Sequence, residues 1–420
     1  MCNIHDESVR PAGLAGSAVR RQGSAHHEPS ARFRPRRKDE GFAGSSNSVK
    51  ITDVEAIYLR MPHVRELCDS GQDALVVKVS TDAGITGLGE VDSAPLAAKG
   101  AIDGPFSHTT AAGLREIVLG EDPLETEYLW HKMYRQSIYG GRRGVGLHAI
   151  SGIDMALWDI KGKALGQPIW KLLGGGFHDR IRPYASTLFG STPAETGDIA
   201  RRLADRGFTA VKFGWEPMGK DEKTDISLVR EARRGLGDDV DLMIDAGLVW
   251  DAKTAIQRAR AFSDYRIFWL EEPLLPDDYD GYAKLSQATD VRIAAGEEES
   301  NRHSFIELMD RGKIDIVQVD LTRVGGFTEA MKVASLAYDR GVPVVNHGFT
   351  TYINVAAALH FLNSIPNSFI LEFVVEEQST LRDCVTKQRI SACDGFLHIP
   401  SAPGLGVELN EEGIKKYRVA

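Results

Sequence analysis

Six short apolar runs, LMIDAG (242–247), FWLEEP (268–273), IAAGEEE (293–299), IVQVD (316–320), VVNHG (344–348) and FILEF (369–373), each carry an ionisable side chain at or near their C-terminal end. Those side chains are Asp245, Glu271, Glu297, Asp320, His347 and Glu372, separated by steps of 26, 26, 23, 27 and 25 residues. A near-constant step of that size matches one strand, one helix and two short loops. Each run is followed by a helix-like segment, so the six groups gather at one end of a parallel sheet. In a closed barrel that end is where active sites are built.

Working outward, RPYASTLF (182–189) and AVKFGW (210–215) precede these runs, and amphipathic stretches such as DISLVREARRGLG (225–237) and FTEAMKVASLAYDRG (327–341) separate them. The alternation repeats eight times from Ile181, matching a (β/α)8 barrel of α/β class whose last unit is incomplete. Residues 176–375 are assigned to this barrel. Upstream, ITDVEAIYLRM (51–61) and ALVVKVSTDAGITGLGEV (74–91) read as antiparallel strands, with Asp82-Ala83-Gly84 supplying a turn. Helical patterns follow near 108–119 and 125–138, GGRRG (140–144) interrupts them, and Ile150, Ile153, Leu157 and Ile160 recur at helical spacing before Gly166. Residues 49–175 therefore read as a separate α+β unit. Residues 376–420 form a Pro/Gly-punctuated segment, including SAPGLGVEL (401–409), expected to pack back on that unit.

Residues 1–48 lack any apolar period and are expected to be a disordered tail. With eight Lys/Arg against five Asp/Glu they are mildly basic, RFRPRRK (32–38) being the densest part. A targeting or RNA-contact role is open for this tail, although Asp6, Glu7 and the missing apolar core do not fit a signal peptide. The whole chain of 420 residues carries a net charge of −9, which argues against nucleic acid or an anionic membrane as its main partner. No apolar run approaches the roughly 20 residues of a membrane span. Cys2, Cys68, Cys384 and Cys393 show no metal or disulfide spacing, which suits a cytoplasmic location.

Asp245, Glu271 and Glu297 end consecutive strands, so their carboxylates converge. One such group is usually a helix cap or a loop ion pair, but three in succession at equal period suit a hard divalent cation such as Mg²⁺, since zinc prefers His or Cys. Glu272, pointing the other way along the strand, supports from behind. Asp320 and His347 end neighbouring strands, where a carboxylate can fix one imidazole nitrogen and make the other a base. Lys212 faces the same space and suits developing negative charge on a carboxylate. Glu372 has two open roles, a protonated donor to an enolate oxygen or an ion-pair partner of Lys212.

Through SGIDMALWDIKGK (151–163), Lys212, MIDAG, WLEEP, AAGEEES, VDLTRVGG, VNHG and ILEF, the chain from about residue 50 onward resembles the mandelate racemase subgroup of the enolase superfamily. The resemblance implies a (β/α)7β barrel under an N-terminal capping domain. It implies one Mg²⁺ per subunit on Asp245, Glu271 and Glu297, a His347–Asp320 dyad, and removal of the proton beside a substrate carboxylate, with a homo-oligomer as the usual assembly. It also places the loops at 61–72, with His63 and Arg65, and near 92–105 over the barrel mouth. The subgroup often carries K-x-K on the second barrel strand, whereas this chain has Lys212-Phe213-Gly214. A racemase needs bases on both faces of the α-carbon, and glycine supplies none. Dehydration needs only His347, which can take the α-proton and return it to a departing β-hydroxyl. The expected activity is therefore that of a sugar-acid dehydratase giving a 2-keto-3-deoxy acid. Racemase, epimerase or lactone cycloisomerase activity stays open, since Tyr139 or Arg142 of the cap could supply another group. A non-catalytic sugar-acid binder is the alternative of another class.

Overall fold

The computed structural model of the protein describes residues 49–66, 71–375 and 379–419. The tail expected over residues 1–48 lies outside the described residues, as do Cys2 and Cys68.

Strands β1 (Ile51–Arg60), β2 (Asp73–Thr81) and β3 (Thr86–Val91) form an antiparallel sheet in that order. The β2 run Ala74-Leu75-Val76-Val77 is apolar and buried throughout because both faces of the sheet are covered there. Leu75, Val77 and Val79 face Ile150, Ile153, Leu157 and Ile160 of the helix Val145–Leu165. Ile57, Leu59 and Val76 join the cluster that continues into the barrel. Two expectations are corrected here. The segment near 92–105 is not a loop but contains a helix, Pro95–Asp103, started by Pro95. The helix expected over 108–119 is confined to Leu114–Val118, because His108 and Ala111 pair across a tight turn before Gly113.

A short β4 (Arg180–Ile181) leads into eight parallel strands: β5 (Pro183–Leu188), β6 (Ala210–Gly214), β7 (Asp241–Asp245), β8 (Ile267–Glu271), β9 (Arg292–Ala295), β10 (Ile316–Val319), β11 (Val344–Asn346) and β12 (Leu371–Val374). Their order is β11-β10-β9-β8-β7-β6-β5-β12, and Glu372 N donates to Asn346 Oδ1 (2.9 Å) where β12 meets β11. A helix of ten to fifteen residues follows each of β5 to β11, whereas β12 is followed by the six-residue helix Thr380–Val385 of the C-terminal segment, giving the (β/α)7β barrel. Thr192, Asp221, Asp251 and Asp278 each accept a backbone N–H from the first turn of the helix they precede, and so fix where four of these helices begin. A final strand, β13 (Leu397–His398), pairs with β4, and the chain end returns to β1, where Val419 N donates to Tyr58 O (3.0 Å).

The barrel interior explains where the charged groups sit. Ala210, Met243, Trp269, Ile316, Val345 and Ile370 form an apolar plug with Tyr184 and Ala294. A strand alternates faces at every residue, so the next inward position on each strand lies one layer higher. Those positions are Lys212, Asp245, Glu271, His347 and Glu372, with Asp320 two layers above Ile316. The cap locks onto the same barrel through its long helix. Thr328 N donates to Asp154 Oδ2 (3.0 Å), Trp158 Nε1 to Thr328 Oγ1 (2.9 Å) and Gly325 N to Ser151 Oγ (2.8 Å).

Candidate active site

Gly214, Asp245 and Glu271 lie in register across β6, β7 and β8, which sets two carboxylates side by side. Glu297, two residues beyond β9, completes the group: carboxylate oxygens of Asp245, Glu271 and Glu297 all lie within 4.8 Å of one another, and all three residues are buried. Their orientations are fixed by donors. Gly247 N donates to Asp245 Oδ1 (2.9 Å) and Trp269 Nε1 to Glu271 Oε2 (2.9 Å). Burial pushes the Asp245 carboxyl well above its ordinary range, the Glu271 charge adds to this, and Lys212 opposes it. Burial raises Glu271 as well, by more than the Lys212 charge lowers it. Three all-oxygen ligands held together against their mutual repulsion fit a hard divalent cation. Glu272 turns away, its Oε1 accepting Gly296 N (2.8 Å).

Lys212 is the cation set among these acids. Its Nζ pairs with Glu271, lies 2.7 Å from Glu372 Oε1 and 3.6 Å from Asp245 Oδ2. Burial would lower its pKa, yet Glu271 and Glu372 hold it well above the ordinary lysine range. Burial would likewise raise Glu372, but Lys212 and His347 hold it below the usual carboxylate range, and its Oε2 accepts Gly348 N (2.8 Å). Of the two roles open for Glu372, this geometry favours the ion pair.

Across the mouth, His347 Nδ1 lies 2.8 Å from Asp320 Oδ2, while Asp320 Oδ1 accepts from Thr322 N (2.7 Å) and Thr322 Oγ1 (2.6 Å). Asp320 is thereby clamped, and a proton on Nδ1 leaves Nε2 as the basic nitrogen. Nε2 lies 3.3 Å from Glu297 Oε2. Burial would lower the His347 pKa, but Glu297 and Asp320 raise it to about 10. A divalent ion on Glu297 would offset the first of those charges.

A cavity of about 440 Å³ opens over these groups, lined by Lys212, Asp245, Glu297, His347 and Glu372. The cap contributes Glu66 and Ser93 to its wall. His63, Arg65, Tyr139 and Arg142, proposed from sequence as substrate contacts, do not line it. His63 and Arg65 are exposed on the segment that carries Glu66. Tyr139 is 77% exposed and packs edge-on against His108, and Arg142 is exposed, its carbonyl accepting from Asn301 Nδ2 (3.1 Å). Among the lining residues that escape the sequence reading are Arg323 and Trp215. Arg323 follows Asp320 by three residues within VDLTRVGG and is buried against Asp92. Trp215 follows Gly214 directly, and the sole signal for it was its place in AVKFGW.

Comparison with known proteins agrees with this architecture. Residues 48–174 match the mandelate racemase/muconate lactonizing enzyme N-terminal domain, and residues 195–413 the enolase C-terminal domain-like family. The chain is 34% identical to D-galactarolactone cycloisomerase of Agrobacterium fabrum over 72% of its length and 82% of that protein's. It is 31% identical to arabinonate dehydratase of Saccharolobus solfataricus over 84% and 93% of the two lengths. The crystal structure of 3,6-anhydro-D-galactonate cycloisomerase from Zobellia galactanivorans superposes with a TM-score of 0.80 at 34% identity, covering 88% of this chain and 100% of the other. With both halves of the fold matched and relatives aligned over most of their lengths, this chain belongs to the mandelate racemase/muconate lactonizing enzyme family of the enolase superfamily.

Proposed function

We propose that the protein is a Mg²⁺-dependent acid-sugar dehydratase that converts an aldonic or aldaric acid to its 2-keto-3-deoxy derivative. The observation that carries this reading is one oriented base, His347 on Asp320, beside the carboxylate triad, with Gly214 where a second base on β6 would stand. Asp245, Glu271 and Glu297 would hold the ion, which when bound would fix the substrate carboxylate and acidify the neighbouring C–H. His347 Nε2 takes the α-proton, and Asp320 stabilises the imidazolium that results. The negative charge that builds on the substrate carboxylate faces the Lys212 ammonium. His347 then returns its proton to the β-hydroxyl, the C–O bond breaks, water leaves, and the enol product tautomerises to the 2-keto acid. Proton and leaving group depart on one face, so one base is enough.

The cycloisomerases among the relatives favour a second reading of the same site. It shares the α-proton step and differs in the β-oxygen that leaves, a ring oxygen in place of a hydroxyl.

The test is incubation with Mg²⁺ in D₂O against a panel of aldonic acids, aldaric acids and their lactones. Loss of water that disappears in His347→Asn supports dehydration, and ring opening without water loss supports the second reading. Deuterium gained at the α-carbon with neither event points to racemisation and overturns both.

A further inference from the structure

Trp215 sits at the rim of the cavity one residue beyond Gly214, which is in register with Asp245. Two features of this residue are unfavourable in isolation. Its side chain is 48% exposed, leaving indole surface in water, and its φ of 68° holds a bulky residue in left-handed backbone. Such a conformation costs on the order of 1–3 kcal/mol and persists where the surroundings enforce it, commonly at functional sites. The surroundings here are Gly247. A Cβ built on Gly247 would fall 3.2 Å and 3.3 Å from indole carbons, tighter than an ordinary contact, so the ring is seated closely on the Gly247 backbone. Leu188 and Phe349 line the same cavity. The site is therefore divided: a charged floor of Lys212, His347 and the carboxylates lies beneath a rim with apolar surface.

We propose that Trp215 is a specificity-determining residue whose indole packs against the C–H groups of the substrate carbons farthest from the carboxylate. This rests on the acid-sugar reading above and adds a length requirement to it. Trp215 lies one residue past the end of β6, about 3.8 Å along the chain from Gly214, a step that the outer carbons of a five- or six-carbon acid can bridge. A three-carbon hydroxy acid, held at its carboxylate by the floor, ends short of the ring.

The test is binding calorimetry on the full chain with Mg²⁺ in the His347→Asn background, so that ligands are not turned over. Titrating six-carbon aldonates and a three-carbon hydroxy acid should show Trp215→Ala weakening the six-carbon ligands about 10-fold, the size of a lost aromatic contact. The three-carbon ligand should change by less than about two-fold, and Trp215→Phe should keep most of the six-carbon affinity. Equal weakening of long and short ligands, or no weakening of either, overturns the proposal. Should Trp215→Ala alter folding or assembly by size-exclusion chromatography, Trp215→Phe and Trp215→Leu decide instead, with Phe expected to exceed Leu. Binding that follows this pattern in a wild-type protein without α-deuterium exchange would sink the dehydratase reading and leave the role of Trp215 standing.

Discussion

Arg323 donates from both Nε (2.9 Å) and Nη2 (2.5 Å) to a single oxygen, Oδ2 of Asp92, and both residues are buried. Asp92 directly follows β3 of the cap, while Arg323 follows β10 of the barrel and also donates to the Glu297 carbonyl (3.1 Å). The pair thus ties the cap wall of the cavity to the strand ends that carry Glu297 and Asp320. Removing one partner of a buried pair strands the other charge, so Asp92→Ala should cost about 3–5 kcal/mol of stability in a denaturant titration. With Arg323 freed to turn toward Asp320 or Glu297, turnover should fall as well. Unchanged stability together with unchanged kcat/KM would contradict this account.

The dyad predicts a loss in kcat rather than in binding. Asp320→Asn keeps the shape but removes the charge that orients and supports His347, so kcat should fall about 10²- to 10⁴-fold with KM changing little. A rise in KM at constant kcat would instead place Asp320 in substrate binding.

Chelation should abolish activity and Mg²⁺ should restore it. Free ion at 100 times its dissociation constant should stabilise the fold by about 2.7 kcal/mol, readable as a raised melting temperature. Asp245→Asn should remove most of that shift. Persistence of the full shift would mean the ion binds elsewhere.

Gly214 is held by space. A Cβ there would fall 2.9 Å from Asp245 Cβ and 3.0 Å from its Oδ2. Gly214→Lys should therefore displace a metal ligand rather than supply a second base, lowering Mg²⁺ affinity without creating racemisation. An active racemase from this single change would show that β6 and β7 can separate.

His360 gives one part of the pH dependence, to which His148, also lowered to about 4 by burial, adds. The His360 Nε2 faces the Leu405 carbonyl (3.1 Å) and its Nδ1 faces the Trp170 N–H (3.3 Å), a pairing that only the neutral Nε2–H tautomer satisfies. Burial lowers its pKa to about 4, from an ordinary value near 6.5. Between those values the unfolded chain binds more protons at this site, so the His360 contribution to stability is full above pH 6.5 and is lost as pH falls toward 4, by about 3 kcal/mol. His360→Gln should flatten that slope in melts taken across the range, and an unaltered slope would assign it to other groups.

Much of the site was legible because a barrel repeats. A strand face has period two and a β/α unit a near-fixed length, so Asp245, Glu271, Glu297, Asp320, His347 and Glu372 announce their shared end of the barrel through spacing alone. Arg323 and Trp215 sit just past that regularity, on loops where neither period applies. The helix Pro95–Asp103 lacks a Ser, Thr, Asp or Asn cap, since Ala94 precedes it in left-handed backbone, and so it reads as loop. Tyr139 and Arg142 stand beside the glycine-rich break at 140–144, and their place in the cap domain does not fix the direction of their side chains.

Glu90, on β3, accepts the backbone N–H groups of Thr351 (3.2 Å) and Asn354 (3.1 Å) and the Thr351 hydroxyl (2.8 Å). Those groups open the barrel helix Tyr352–Asn363, so a cap residue terminates a barrel element. The two halves therefore cannot melt separately without taking the Glu90 carboxylate from these N–H groups, which leaves Thr351 Oγ1 on Ile353 N (3.1 Å) as the remaining side-chain cap. In hydrogen exchange, the Thr351 and Asn354 amides should open only with the whole molecule, making cap and barrel one cooperative unit despite their separate sheets.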